Sequence, residues 1–366
     1  MPRDDKTVGL ILVTYQSAVD LPPFLDAVTA AVGPYDLDVV GVDNVSTDKS
    51  VDLVEEFGGR VIRNSRNVGL ATAINQGAAV TDAAWILVAN PDTVLAPGSI
   101  AALVETAGSD DRIGMIGPRV ARLDGTPYPS GRRFPSLAVG IAHALLGGLW
   151  PGNPATRRYF GEPLSEVGDV DWISGCCMLF RREAFDAVGG FDAGYFLYFE
   201  ETKMALDMHR TGWRVVLDPT VEIRHREGGS MRSAPFRKIR SHHRSALRFY
   251  CDYHRGSPWL ALAPLVAVGL IVRGLLAGAR TAVVQRLGVS GIAPAGSHVP
   301  PARKGSGGSM TKCDHWHPEV TDPKAWGCVL NGFEDEPFVQ KLDRAADRLR
   351  SLMHAIDEAL VDRAEP

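Results

Sequence analysis

Leu37-Asp38-Val39-Val40-Gly41-Val42 runs straight into Asp43-Asn44-Val45-Ser46-Thr47-Asp48, and the reading of this junction decides the fold. The first six residues form a short, mainly apolar run of strand length. The next six carry acid, amide and hydroxyl side chains, which end the strand and lead into a helix near Lys49–Phe57. The alternation continues outward in both directions. Upstream, Val8–Val13 reads as a buried strand, and Leu21–Val32 as a helix that stops at Gly33-Pro34. Downstream, Val61-Ile62 is a short strand, Leu70–Val80 a helix, and Trp85–Ala89 a strand ending in Asn90-Pro91-Asp92. Strands alternating with helices over about a hundred residues predict an α/β fold with a doubly wound sheet covered on both faces. Ligands gather at the carboxyl ends of such strands. Here those ends carry Thr14-Tyr15, Asp43-Asn44 and Asn90-Pro91-Asp92.

The 366 residues give room for about two domains at roughly 150 residues each. Apolar residues at 45% and charged ones at 22% exclude a disordered or collagen-like chain. A net charge of −4 gives no general attraction to nucleic acid, and none is expected as a partner. Five cysteines do not make a disulfide framework in a chain this long and point to a reducing compartment. No signal peptide is expected, because Met1–Lys6 is charged and the apolar run after it reads as a strand.

Charge is unevenly placed. Arg224–Arg255 carries nine Lys/Arg against two acids, and Trp259–Ala279, which follows, is almost wholly apolar, broken by Pro264 and Arg273. Such a pair suits a segment lying on, or half inserted into, an anionic membrane surface. Between the two ordered parts, Asp124–Pro135 is rich in Pro, Arg and Gly, and Leu137–Trp150 is amphipathic. Val170–Gly175 then leads into a strand at Cys176–Phe180, with helices at Arg181–Val188 and Glu200–Arg210. The expected layout past the sheet is an apolar membrane-associating segment at 257–288, a Gly/Pro/Ser linker at 289–309 and an acidic helical tail at 310–366 that reads as an appended unit. In that tail Cys313, His315, His317 and Cys328 are zinc-ligand types without a common zinc spacing. Phe338, Leu342, Ala345, Leu349, Met353, Ile356 and Leu360 form a helical stripe that suits packing against the body or a second copy of the chain.

Two strand ends carry the chemistry. Asp43 is placed to accept from a base N–H, with Ser46 and Thr47 free to cap the next helix or touch a ribose; a plain N-cap box fits the same residues. Asp92, held behind Pro91, is the type of carboxylate that holds a divalent cation on a diphosphate, since Mg²⁺ takes one or two carboxylates and keeps several waters.

Taken in order, the motifs resemble a known family. Val13-Thr14-Tyr15, the Asp43 hexapeptide, Asn67-Val68-Gly69-Leu70-Ala71 with Asn75-Gln76-Gly77, and Asn90-Pro91-Asp92 resemble the nucleotide-sugar half of glycosyltransferase family 2. Trp172-Ile173-Ser174-Gly175, Gly189-Gly190-Phe191-Asp192, Phe199-Glu200-Glu201 and His225–Ser230 resemble its acceptor half. The resemblance covers residues 7–255, with the nucleotide-sugar half at 1–120 and the acceptor half at 121–256. Within the family the chain looks most like bacterial rhamnosyltransferases of the peptidoglycan–arabinogalactan linker, on Tyr128-Pro129-Ser130 with Arg132, Pro135-Ser136, His143-Ala144 and Leu149–Pro154.

The resemblance implies a GT-A type mixed sheet, an inverting displacement, and Mg²⁺ or Mn²⁺. It also implies a dTDP-L-rhamnose donor, a polyprenyl-diphosphate-linked N-acetylglucosamine acceptor, and a place at the cytoplasmic face of the bacterial membrane. By position it assigns Thr14, Tyr15, Asp43, Asn44, Asn67, Gly69, Asn75, Asn90 and Asp92 to the donor, and Arg132, Trp172, Ser174 and Gly175 to the acceptor. His225 and Arg232 would meet the diphosphate, Asp92 and His225 the metal, and Glu201 with Glu200 would supply the base. Arg237, Lys238, Arg240 and Arg244 suit a lipid diphosphate or an anionic leaflet.

The chain departs from the family at the base, where Glu-Asp with a further Asp two residues on is usual. Here Glu201 is one methylene longer and Lys203 replaces the later acid. A base misplaced by about 1 Å can cost a hundredfold in rate, and a nearby Lys203 is expected to lower the pKa of Glu201. Two rivals follow: a relative that uses another sugar nucleotide, and a non-catalytic protein that holds a lipid-linked sugar. A dinucleotide oxidoreductase is disfavoured, since no Gly-x-Gly-x-x-Gly follows the first strand.

Overall fold

The computed structural model describes residues 6–134, 164–226 and 235–286, together with Val139, Pro154, Arg158 and Tyr159. The chain begins β1 (Thr7–Thr14), α1 (Leu21–Val32), β2 (Asp36–Asp43), α2 (Ser50–Glu56), β3 (Arg60–Arg63) and α3 (Leu70–Ala78). It continues β4 (Trp85–Ala89), β5 (Thr93–Val94), α4 (Ser99–Gly108) and β6 (Ile113–Arg122). Four short strands follow, β7 (Pro127–Tyr128), β8 (Gly131–Arg132), β9 (Gly168–Asp169) and β10 (Trp172–Ile173). Then come β11 (Cys177–Arg181), α5 (Arg182–Ala187), α6 (Glu200–Arg210) and β12 (Arg214–His225). A basic helix α7 (Pro235–Tyr253), a short 3-10 helix (Pro258–Leu262) and the apolar α8 (Ala263–Arg286) complete the described chain.

The chain falls into two units, Met1–His143 with Pro154–Leu270, and Ala144–Asn153 with Ile271–Pro366. The first holds the sheet and the site. Of the second, the described part is the remainder of α8. Arg232, most of 137–150, the linker at 289–309 and the tail at 310–366, including its Cys/His group and apolar stripe, lie outside the described residues.

The main sheet runs β3-β2-β1-β4-β11-β6-β12-β5. Its first four strands are parallel, as strand–helix alternation requires. β11 then inserts antiparallel between β4 and β6, and β12 lies parallel to β6. The result is the mixed α/β sheet of a GT-A fold. β11 and β12 come from the second half of the motif series, so both halves share one sheet.

Alternation along the central strands explains the layers. In β1, Leu10 and Leu12 enter one apolar cluster and Ile11 the other; in β4, Trp85, Leu87 and Ala89 oppose Ile86 and Val88. A period-two strand that is apolar on both faces needs helices on both sides. α1 and α4 cover one face with Phe24, Leu25, Val28, Ile100 and Leu103. α3, α5 and α6 cover the other with Ala71, Ile74, Phe185, Met204 and Met208. Cutting Ile11, which is fully buried, to Ala would cost about 2–5 kcal/mol.

One irregularity positions the site. β12 slips register against β6 between Asp218 and Glu222. Such a bulge bends a strand and re-aims its end. Beyond it, β12 pairs antiparallel with β5, with His225 opposite Thr93. That pairing carries the last residue of a long strand to the loop that follows β4.

Candidate active site

At the tips of β1 and β2, Asp43 is buried and already engaged. The Thr14 hydroxyl donates to its Oδ1 at 2.8 Å and the Ser46 N–H to its Oδ2 at 2.9 Å. A carboxylate held at both oxygens keeps lone pairs for a further donor and cannot swing away. The rest of the hexapeptide builds the loop. The Gln16 N–H donates to Ser46 Oγ, and the Gln16 amide nitrogen to Thr47 Oγ1. Asp48 accepts from the Ala18 and Ser50 N–H groups and the Ser50 hydroxyl, and these bonds hold its carboxyl below the usual range against the opposing effect of burial. Asp48, not Asp43, tends the start of α2.

The other donor-side candidates make contacts within the fold. The Asn44 amide accepts from Asn64 and the Val68 N–H, pinning β2 to the loop before α3. Asn67 accepts from the Gly69 N–H. Gly69 has φ +88°, and a Cβ there would lie 2.7 Å from the Phe196 carbonyl oxygen, so glycine is required both by conformation and by contact. Asn75 donates to the Phe191 carbonyl at 2.7 Å and accepts from the Phe191 N–H at 2.9 Å, tying α3 to the Gly189-Gly190 turn. Asn90 joins β4 to Cys176 through its backbone, and the Tyr15 N–H donates to Ser17 Oγ.

Asp92 and His225 meet, though 133 positions apart. Asp92 Oδ1 lies 3.0 Å from His225 Nε2, both side chains are mostly buried, and the Arg226 N–H donates to the Asp92 carbonyl. His225 Nδ1 is buried without a hydrogen-bond partner. Arg226 itself crosses to Asp20 at 3.0 Å.

On the acceptor side, β8 pairs with β10 so that Arg132 stands opposite Trp172. The guanidinium lies 4.8 Å from the Trp172 ring and 5.4 Å from the Tyr128 ring, and it donates to the Pro129 carbonyl and the Tyr128 hydroxyl. The Ser174 N–H donates to the Ser130 carbonyl. Gly175 leaves room for Glu201, whose Cγ and Cδ would stand 3.6 Å from a Cβ added there.

Glu200 and Glu201 open α6. Each has a buried Oε2 without a partner. Burial raises both carboxyl pKa values, and the neighbouring Glu201 raises that of Glu200 further. The expected influence of Lys203 is therefore corrected. Its ammonium pairs with Asp207 one turn on, and the cation that acts on Glu201 is Arg132. The helical repeat puts Lys203 beside Asp207, because positions four apart share a face.

The approach to these glutamates is strained. Tyr198 and Phe199 have φ of 68° and 66°, a left-handed pair costing about 1–3 kcal/mol each. α7 holds it: Ser241 and Ser245 hydroxyls donate to the Leu197 carbonyl, and the Phe199 ring packs against His242 and Phe249. The other non-glycine residues with positive φ among those described, Gln16 and Val45, follow the donor-side strands.

Residues 10–189 match the family described as Glycosyl transferase family 2. An N-acetylglucosaminyl-diphospho-decaprenol L-rhamnosyltransferase of Mycobacterium tuberculosis is 37% identical over 261 residues, covering 68% of this chain and 85% of its own. The chain belongs to glycosyltransferase family 2. The rhamnosyltransferase WbbL of Escherichia coli is 35% identical over 118 residues, 32% of this chain and 42% of its own. A Pyrobaculum calidifontis mannosyltransferase solved with GDP-Man and Mn²⁺ is 16% identical, with a TM-score of 0.47 over 79% of this chain and 82% of that one.

For this glycosyltransferase, the sequence reading missed four contributors. Arg226 had a positional signal, since it follows His225 at a strand tip. Ser241 and Ser245 had the four-residue spacing of one helix face, but nothing local shows that it meets Leu197. Tyr159 shares a hydrogen bond with Arg132, and no sequence signal marks it.

Proposed function

We propose that this glycosyltransferase moves L-rhamnose from dTDP-L-rhamnose to the 3-hydroxyl of an N-acetylglucosamine carried on polyprenyl diphosphate, with inversion. The supporting observation is the meeting of Asp92 with His225 at the donor tips, in a sheet that also sets Glu201 against Gly175. The relative's name supports the choice of sugars.

Asp43 and Thr14 receive the base, with Asp43 accepting from its N–H. Asp92 and His225 are the residues that would hold Mg²⁺ or Mn²⁺. They fit such an ion in donor type: a carboxylate and an imidazole stand together, and His225 Nδ1 lacks a hydrogen-bond partner. Held by these two residues, such an ion would supply positive charge against the departing diphosphate. Trp172, Ser174 and Gly175 floor the acceptor pocket beside Glu201. The Glu201 carboxylate takes the proton of the acceptor 3-hydroxyl while that oxygen bonds to the anomeric carbon of rhamnose. The bond from that carbon to the diphosphate oxygen breaks, and its electron pair leaves with dTDP.

The acceptor lipid gives the apolar helix a role. Pro258–Leu275 is long and apolar enough to cross a membrane, and Trp259, Leu265, Val268 and Ile271 are exposed. Arg240 and Arg244 stand on α7 just before it. We read this as attachment at the cytoplasmic face, by a peripheral or monotopic segment. Replacing Leu265, Val268 and Ile271 with Glu is expected to release the protein from anionic liposomes on flotation; full retention counts against this attachment.

The transfer itself is tested by dTDP release and product mass with the proposed donor–acceptor pair and Mn²⁺. Turnover with a different sugar nucleotide instead would replace rhamnose, and no turnover with any donor would leave a binding protein. Lys203, which motivated that last reading, pairs with Asp207.

A further inference from the structure

One face of α7 opens on a cavity beside the segment that leads into the two glutamates. Ser241, Arg244, Ser245 and Arg248 recur at the three- and four-residue spacing of a single helical face, and with Gly194 and Phe196 they line a space of about 260 Å³. The two arginines differ. Arg248 is committed to the fold: its Nη2 donates to Asp192 at 3.1 Å and its guanidinium lies 5.1 Å from the Tyr195 ring. A Cβ at Gly194 would fall 2.2 Å from its Cζ, so glycine makes way for it. Arg244 is exposed and has no hydrogen-bond or ion-pair partner among the described residues. From Pro235 to Cys251 the helix carries no acid, and Arg240, Arg244 and Arg248 stand four apart, a spacing at which like charges destabilise a helix. An anion at Arg244 would relieve that repulsion. We propose that this cavity receives the diphosphate of the lipid-linked acceptor, with the Arg244 guanidinium as its contact.

Size and surroundings favour that occupant. The cavity is smaller than the roughly 300–1,000 Å³ that enclose a whole drug-sized ligand, so it suits a headgroup and not a complete sugar lipid. A planar guanidinium with its fork of donors matches phosphate oxygens. The same wall holds the reacting region: the Ser241 and Ser245 hydroxyls donate to the Leu197 carbonyl, four residues before Glu201. At the rim, the Phe196 carbonyl accepts from the Leu70 N–H at 2.8 Å, so the donor-side loop reaches this segment too. Beyond α7 the chain enters the apolar Pro258–Leu275 stretch, and a lipid's headgroup and tail are thus met by consecutive elements. A phospholipid headgroup carries the same phosphate chemistry, and position decides between the two sources, because a leaflet headgroup has no reason to sit against the segment that bears the base.

This inference rests on the transferase reading, which wild-type turnover tests by itself. Binding is measured separately on the full chain, with farnesyl diphosphate as probe and saturating dTDP present to fill the donor end. Arg244→Gln is expected to weaken the probe about tenfold, the loss of one charge-assisted contact. Arg240→Gln, which removes an equal charge outside the cavity, is expected to stay within about threefold of wild type. In turnover, Arg244→Gln should raise acceptor KM about tenfold while donor KM and kcat stay within about threefold. Equal probe affinity in wild type and Arg244→Gln overturns the inference, and so does an equal loss in both variants, which would show a general effect of charge. Flotation on phosphatidylglycerol vesicles separates the two sources of phosphate. Arg244→Gln should float as wild type does; lost flotation with acceptor KM unchanged would assign the cavity to a leaflet headgroup and overturn the proposal.

Discussion

Asp43 at the donor end and Glu201 at the acceptor end are both carboxylates withdrawn from bulk water, and the fold treats them in opposite ways. Asp43 receives a hydroxyl and a backbone N–H before any ligand arrives. Glu201 keeps an oxygen buried without a partner, beside a second carboxylate in the same condition. Leaving a buried acceptor unsatisfied costs about 1–3 kcal/mol, more when charged, so the second arrangement persists because the surrounding structure enforces it. The donor end is a finished socket. The other end keeps two buried carboxylate oxygens unsatisfied, which on the proposed function a substrate hydroxyl would complete.

That contrast can be broken from either side. The largest effect is expected for Glu201→Gln, which removes the base and should lower kcat by about a thousandfold. Nucleotide affinity, followed by thermal shift with dTDP, should stay at the wild-type level. Asp43→Asn is the mirror image. Losing a charged acceptor at the base is worth about 1.5–3 kcal/mol, so donor KM should rise roughly ten- to a hundredfold while kcat stays within a few-fold. If both variants lowered kcat alike with KM unchanged, the division between socket and base would be wrong.

A smaller effect concerns stability. Burial raises the Glu200 pKa in the folded state. At pH values between its unfolded value near 4.3 and the higher folded one, the native state binds more protons than the unfolded chain. The contribution is therefore intact below about pH 4.3 and is lost as pH rises through the folded pKa. Glu200→Gln should melt with wild type at pH 4 and above it at pH 8, by about 2–4 °C for each kcal/mol relieved. An equal difference at both pH values would show that burial of charge is not the cause. The smallest effect on the reaction is expected for Lys203→Met, which removes the partner of Asp207 and not one of Glu201. Its pH–rate profile should overlay that of wild type.

The sheet was legible because its strands declare themselves locally. Leu10, Ile11, Leu12 and Trp85–Ala89 are apolar on both faces, and the residues that end them are acids, amides and hydroxyls. The donor tips were legible for the same reason, since Thr14, Asp43 and Asp92 each end a strand or follow one closely. The side-chain partners were not. Asn44 and Asn75 stand in motifs that suggest a ligand, and the structure places their amides on backbone groups. Lys203 sits two residues from Glu201 in sequence, yet a helix aims it at Asp207. The cation whose field opposes burial at Glu201 is Arg132, 69 positions away in the sequence.

The hold of α7 on the Leu197 carbonyl has a practical consequence. The serines that make it, and the rings that back it, all precede Gly256, whereas the apolar stretch begins at Pro258. A truncation boundary at Gly256 therefore discards the greasy helix while sparing the brace behind the two glutamates. A cut ahead of Pro235 would also take Phe249 out of its cluster with Tyr195 and Leu206, leaving a Tyr198–Phe199 kink that has lost its buttress and is free to relax.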